Sequence, residues 1–235
     1  DLAQGLISAL KKIGSKKRVL IIPPDITRLH SCAGELTQAA WEYYGELVKD
    51  VLPAVGTRSQ MTKEGIETMF GTVPKSLFRN HDWRKDVETI GEVPVGFIKK
   101  ISEDRLNYSW PVQINKLLKN SYDLILSIGQ VVPHEVTGMA NYNKNIFIGT
   151  GGAESINKSH YLGAVYGIER ILGRIDTPVR KVLNYASDHF SRNLPIVYVL
   201  TVLGLDKNGR MNVRGLFIGD DTECFEHASH LSQKV

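Results

Sequence analysis

Val19-Leu20-Ile21-Ile22-Pro23-Pro24-Asp25-Ile26-Thr27-Arg28 reads as a buried strand running straight into a polar loop. Four consecutive apolar residues, three of them β-branched, leave no polar face, as a strand covered on both sides requires. Pro23 and Pro24 end the run, because proline cannot donate to a sheet ladder. The loop carries a carboxylate at Asp25 and a guanidinium at Arg28, which can pair with each other or grip a ligand. In open α/β sheets, ligands bind in such loops beyond the carboxyl ends of the strands.

Working outward, Leu6–Ile13 precedes the strand as a short helix, and Ala33–Val48 follows it with apolar residues at helical spacing. A second strand is expected at about Val51–Val55, then a helix at Thr62–Phe70 with Thr62 as N-cap. Trp83–Ile98 is irregular, a strand and a loop. Ile114–Leu118 is placed in a helix, Leu124–Ile128 in a strand closed by Gly129, and Asn145–Ile148 in a further strand. Ile156–Leu172 and Thr177–Phe190 read as helices, the latter with Pro178 in its first turn. Ile196–Leu205 and Met211–Ile218 flank Asn208-Gly209, a strong hairpin signal, and Asp220–His230 reads as a terminal helix. Alternating strands and helices predict one α/β domain over 1–235, with a largely parallel, Rossmann-like sheet flanked by helices and a C-terminal antiparallel hairpin.

Composition narrows the function classes. With 235 residues, 42% apolar and 23% charged, the chain can bury a core without staples. A net charge of +4 with scattered Lys and Arg gives no nucleic-acid footprint. The two cysteines, Cys32 and Cys224, form no CxxC pair, which argues against a zinc ribbon or a disulfide scaffold and fits a reducing compartment. No apolar run approaches a membrane span, and no signal peptide is evident, so a cytoplasmic protein without membrane contact is expected. The chain begins at Asp1 rather than Met, as a processed or excised piece would.

Four polar clusters stand where a ligand could bind. Besides Asp25 and Arg28, Arg58 follows Gly56-Thr57 in a strand-to-helix loop, as a substrate anchor or a surface arginine. His134 follows the third strand, placed for proton transfer near neutral pH or for a loop hydrogen bond. Gly149-Thr150-Gly151-Gly152 opens a helix, where glycines and free N–H groups suit an anion. His160 on that helix shares a face with Ile156, Ala164 and Ile168 and points inward, as a core residue or a ligand.

Taken together, these pieces resemble the lactate racemase family, over most of the chain and in the right order. Asp25-Ile26-Thr27-Arg28 looks like that family's DxTR motif, and Gly56-Thr57 with Met61-Thr62 is similar to its GTHR-x-MT segment. Asn80-His81-Asp82 resembles a His-Asp loop of unassigned role. The family's PH, GFSGGxK and later histidine are matched by His134, Lys144 ten residues on and His160 sixteen further. The resemblance implies a nickel-pincer nucleotide cofactor held covalently by Lys144, with His160 donating nitrogen to nickel and Gly151 and Gly152 in its cradle. It implies His134 as general base on a substrate hydroxyl while hydride leaves the adjacent carbon, with Asp25, Arg28 and Arg58 orienting the substrate. The partners it implies are a small 2-hydroxy acid, lactate-like or a sugar acid, and cofactor-synthesis enzymes.

Two departures from the motifs bear on function. The second acid–base histidine of GTHR is Arg58 here, and GFSGG has become Gly138-Met139-Ala140-Asn141-Tyr142. A racemase or epimerase with altered substrate or one-sided delivery is expected, the alternative being a relative that binds a nucleotide or metabolite without racemising it. Family members run to about twice this length. Their C-terminal domain closes the site, so this piece alone is expected to be inactive and to expose apolar surface beside an open cleft.

Overall fold

The alternation along the first strand builds the molecule. In the computed structural model, which covers Asp1–Val235, the order is α1 (Leu2–Ile13), β1 (Val19–Ile22), α2 (Ala33–Tyr44), β2 (Val48–Val51), α3 (Lys63–Phe70), β3 (Val87–Val93), α4 (Val95–Ile101), β4 (Trp110–Asn115), β5 (Leu124–Gln130), β6 (Pro133–His134), β7 (Gly138–Met139), α5 (Ala153–Tyr166), α6 (Pro178–Ala186), β8 (Ile196–Leu205), β9 (Met211–Gly219) and α7 (Thr222–Ser232). All four residues of β1 are fully buried. Leu20 and Ile22 join one apolar cluster with Ile125, Phe147 and Val182, while Val19 and Ile21 join another with Leu6, Leu36 and Phe70. Successive side chains of a strand point to opposite faces, so the sheet is covered on both sides and the fold has three layers.

The main sheet has the order β2-β1-β5-β8-β9. β2, β1, β5 and β8 are mutually parallel, and β9 runs antiparallel to β8 through the Asn208-Gly209 turn. This is the expected α/β architecture with its C-terminal hairpin. From β1 the chain goes out to β2, then returns past β1 to β5. The loops after β1 and β5 therefore diverge, leaving a crevice at their carboxyl ends. No helix is long and apolar enough to cross a membrane.

Several elements differ from the sequence expectation. β2 begins at Val48, because Gly45 at φ 55° ends α2 early and a short 3-10 turn carries the chain into the sheet. Ile114 lies in β4 rather than a helix, paired with Glu88 of β3, and only Lys116–Lys119 is helical. Asn145–Ile148, apolar and β-branched like a strand, is instead a π-helix spanning Asn145–Gly149, with Ile146 and Phe147 fully buried. Apolar content alone does not separate a buried helical turn from a strand. The helix through His160 stops at Tyr166, where Gly167 adopts φ 106°.

Candidate functional site

The crevice at the β1/β5 switch point holds two adjoining compartments. The outer one, about 150 Å³, is lined by Arg58, His134, Lys144 and His160 among others. The inner one, about 60 Å³, is lined by Arg28, Arg58, Gln130, Asn141 and Lys144. Residues far apart in the chain thus share one cleft, with Lys144 and Arg58 common to both halves. A larger cavity of about 630 Å³ lies at the opposite end of the strands, beside Leu124 and Ile196, and contains none of these groups.

The first loop differs from the expected Asp25–Arg28 pair. Asp25 caps the following 3-10 turn, accepting from Thr27 N–H at 3.0 Å, and its other oxygen takes Arg58 Nη1 at 2.5 Å. Arg28 forms no ion pair and lines the inner compartment, so its guanidinium is open to an incoming carboxylate or phosphate. The nearer arginine in sequence is the ligand-facing one, and the distant one neutralises the buried carboxylate.

The second loop carries His134 and Lys144, and its shape follows from its glycine and its underside. β6 and β7 form a two-residue ladder, His134 opposite Gly138. Gly138 has φ 81° and would drive a Cβ to 2.0 Å from Arg174 O, so only glycine fits. Beneath the loop lies Arg180, 2% exposed, bonding to Asn143 Oδ1 and donating to the carbonyls of Met139 and Asn141. Asn141 and Tyr142 adopt φ 64° and 59°, so the left-handed backbone persists where the GFSGG motif has glycines. Asn tolerates this region. Tyr142 is held there by stacking on Phe225 with ring centroids 5.0 Å apart.

Lys144 ends this loop at the start of the helical turn through Gly149. Its surroundings hold Arg28, Arg58 and Arg180 but no carboxylate in salt-bridge range. Burial, with those guanidiniums adding, lowers its ammonium pKa to about 8. A lysine with this pKa keeps about a fifth of its amine neutral and nucleophilic near pH 7.4.

The two histidines present opposite tautomers. His160 Nδ1 lies 2.7 Å from Ile156 O, a pure acceptor, so Nδ1 carries the proton and Nε2 keeps its lone pair. His134 Nδ1 accepts from the backbone N–H groups of Val136 and Thr137 at 3.1 and 3.3 Å. Its neutral ring therefore carries the proton on Nε2. Burial, then the neighbouring Lys144 and Arg28, push its pKa down to about 2, which keeps it neutral. Glu135 stands 3.7 Å from the same Nδ1, further away than the two N–H donors. A neutral ring with this tautomer donates; it does not accept a proton at Nε2, which alters the general-base role expected from the sequence.

Gly151 and Gly152 line neither compartment. A Cβ at Gly151 would meet Phe147 O at 1.8 Å, and one at Gly152 would meet Gln113 Oε1 at 2.4 Å, so they serve close packing against β4 and the π-turn. Of the N–H groups that open α5, those of Ala153 and Ser155 are taken by Trp83 O and Gln113 Oε1. His81 is likewise structural, its ring bridging Asn115 Nδ2 and Gly151 O at 2.9 and 3.0 Å. Leu29 and Tyr161, chain neighbours of Arg28 and His160, are 48% and 56% exposed.

The model of the lactate racemase N-terminal domain matches residues 6–169, well over half of the sequence and every residue lining the two compartments. The chain belongs to the lactate racemase N-terminal domain family. A crystal structure of a protein from Thermotoga maritima superposes with a TM-score of 0.86 at 25% identity, covering 99% of this chain and 57% of that one. The lactate racemase apoprotein from Thermoanaerobacterium thermosaccharolyticum gives 0.64 at 20% identity, over 97% of this chain and 50% of that one, a likeness of fold. No curated protein sequence matches. The chain thus spans about half the length of these two neighbours.

Proposed function

We propose that the chain is the cofactor-bearing half of an isomerase that inverts a hydroxyl-bearing carbon of a small 2-hydroxy acid. The observation that carries this reading is the pairing in one cleft of an unpartnered, weakly basic Lys144 with a His160 whose Nε2 lone pair is free. Nowhere do three or more His, Cys, Asp or Glu side chains gather as a metal cage. A metal here would therefore arrive on a group bringing its own donors, with one imidazole from the protein. A nickel-pincer nucleotide fits that donor set: Lys144 would hold it covalently, His160 Nε2 would reach its metal, and it would supply a hydride acceptor when bound. The chain's own residues do the rest. Arg28 binds the acid's carboxylate. The Nε2–H of His134 donates to the oxygen on the reacting carbon. Asp25 fixes Arg58 at the cleft mouth.

A second reading has specific support. With Arg58 in one histidine's place and His134 carrying its proton on Nε2, neither side of the cleft offers an imidazole ready to accept a proton. That favours a relative that binds an anionic metabolite without racemising it. Intact mass and nickel content of the full-length protein, co-expressed with cofactor-synthesis enzymes, separate the two. The isomerase reading expects an adduct on Lys144 with stoichiometric nickel, lost in Lys144→Ala, and nickel alone reduced in His160→Ala. An unmodified, nickel-free protein, made beside a loaded known racemase, would leave the binding role.

A further inference from the structure

Lys144 lines both compartments of the cleft, and its amine makes no hydrogen bond or ion pair within the chain. Nor is the amine sealed off, since the closed, unpaired side-chain atoms belong to Tyr44, Gln130, Arg180 and Ser229. Glu135 favours the charged form of the amine, but less than burial and the guanidiniums of Arg28, Arg180 and Arg58 disfavour it. An amine in this state is partly neutral near pH 7, the form that attacks carbonyl carbons. Two further groups reach the same space. Arg28 is unpaired in the inner compartment and suits a carboxylate. His134 lines the outer compartment, and its Nδ1 accepts from backbone N–H groups, which leaves an Nε2–H to donate.

A nucleophilic amine, a carboxylate anchor and an N–H donor are together what a 2-oxo acid requires, because its carbonyl carbon is bonded directly to its carboxylate. We propose that the cleft, when Lys144 is unmodified, binds a 2-oxo acid through Arg28 and joins it covalently to Lys144 as an imine. The neutral Nζ attacks the carbonyl carbon while the carbonyl π pair moves onto oxygen, which takes one proton from the nitrogen. The nitrogen then forms the C=N bond as that oxygen leaves with both of the amine's protons as water, so neither oxidant nor reductant is consumed. With the guanidiniums of Arg28, Arg58 and Arg180 acting on this nitrogen, the imine stays unprotonated. A neutral imine draws few electrons from the acid, so the adduct is a resting form of the cleft and not a step of turnover. The inference rests on the reading above only in placing a carboxylate on Arg28.

Full-length protein made without cofactor-synthesis enzymes, incubated with pyruvate or acetone and reduced with borohydride, tests the assignment by intact mass and peptide mapping. Pyruvate should add one reduced pyruvyl group, at Lys144, at a rate that rises with pH and levels off above about pH 8. An ordinary surface lysine would still be gaining reactivity at about pH 10. Lys144→Arg should lose the label. Arg28→Met should lower trapping of pyruvate about tenfold relative to acetone, which lacks the carboxylate, the scale of one charge-assisted hydrogen bond. Arg28→Lys should restore part of that preference. Label on surface lysines with Lys144 unmarked, a rate still climbing at about pH 10, or an equal loss of pyruvate and acetone in Arg28→Met would overturn the proposal. Mass and nickel on protein co-expressed with the synthesis enzymes report separately on the isomerase reading. Trapping without a nickel adduct defeats the isomerase alone, and an adduct without trapping in the unloaded protein defeats this proposal alone.

Discussion

Replacing Lys144 by Met should stabilise the unloaded protein, and by an amount that pH removes. In the unfolded chain a lysine ammonium has a pKa near 10.5, whereas burial and the three arginines bring Lys144 to about 8. The folded state thus releases a proton that the unfolded chain would keep. The resulting penalty on folding is fully present below pH 8 and disappears above pH 10.5. At about 1.36 kcal/mol per pH unit the shift amounts to roughly 3 kcal/mol, and relaxation around a residue whose stem is only half-buried reduces that to about 2. Urea unfolding of both proteins should therefore show Lys144→Met ahead by about 2 kcal/mol at pH 7, with the gap shrinking to about a quarter by pH 10. A variant less stable than the parent, or a gap independent of pH, would refute the account of Lys144 as an amine held in an uncompensated cationic site.

His134, held neutral by burial with a pKa near 2, carries the same argument to acid. The unfolded ring binds its proton through pH 6.5 and the folded ring does not, so stability relative to His134→Gln should fall by about 2 to 3 kcal/mol between pH 7 and pH 4; parallel pH profiles would count against the neutral ring. Arg180→Met removes the donor that Asn143 Oδ1 and the carbonyls of Met139 and Asn141 share. It should destabilise the fold by about 2 kcal/mol, since orphaned buried acceptors outweigh the relief of burying a charge. Amide exchange at Ala140, whose N–H bonds to Val132 O, should accelerate with it, and unchanged protection there would show that the loop holds itself.

Local pattern carried most of the fold. The run Val19–Ile22, the Thr62 cap, Pro178 in a helix's first turn and the Asn208-Gly209 turn announce themselves within a few residues, and each element stands where its signal lies. The misread segments have a signal that two structures share. Asn145–Ile148 is apolar because it is enclosed, and enclosure does not distinguish a π-turn from a strand. The site was legible where spacing mattered: two long intervals bring His134, Lys144 and His160 into one cleft. It was illegible where pairing decided the outcome. Nothing in Asp25-Ile26-Thr27-Arg28 says that the carboxylate takes an arginine 33 residues away and leaves its neighbour free. Arg180 is an ordinary residue type, and only burial and the accounting of its hydrogen bonds single it out. The tautomers of His134 and His160 depend on which backbone groups reach Nδ1, and sequence is silent on that.

The π-turn from Asn145 to Gly149 makes the reach of Lys144 a matter of counting. A π-turn accommodates more residues per turn than an α-turn, and helical residues are spaced by about 100° around the axis. Removing one residue from Ile146–Ile148 would let the turn relax toward α-geometry, and because the lost residue is the one the wider turn holds in excess, Lys144 would keep nearly its direction relative to Gly149, whose carbonyl is tied to Gly56 N–H on the opposite wall. An inserted residue has no such outlet and would turn the amine by about 100° away from His160. The backbone of this segment therefore has room to lose a residue and none to gain one.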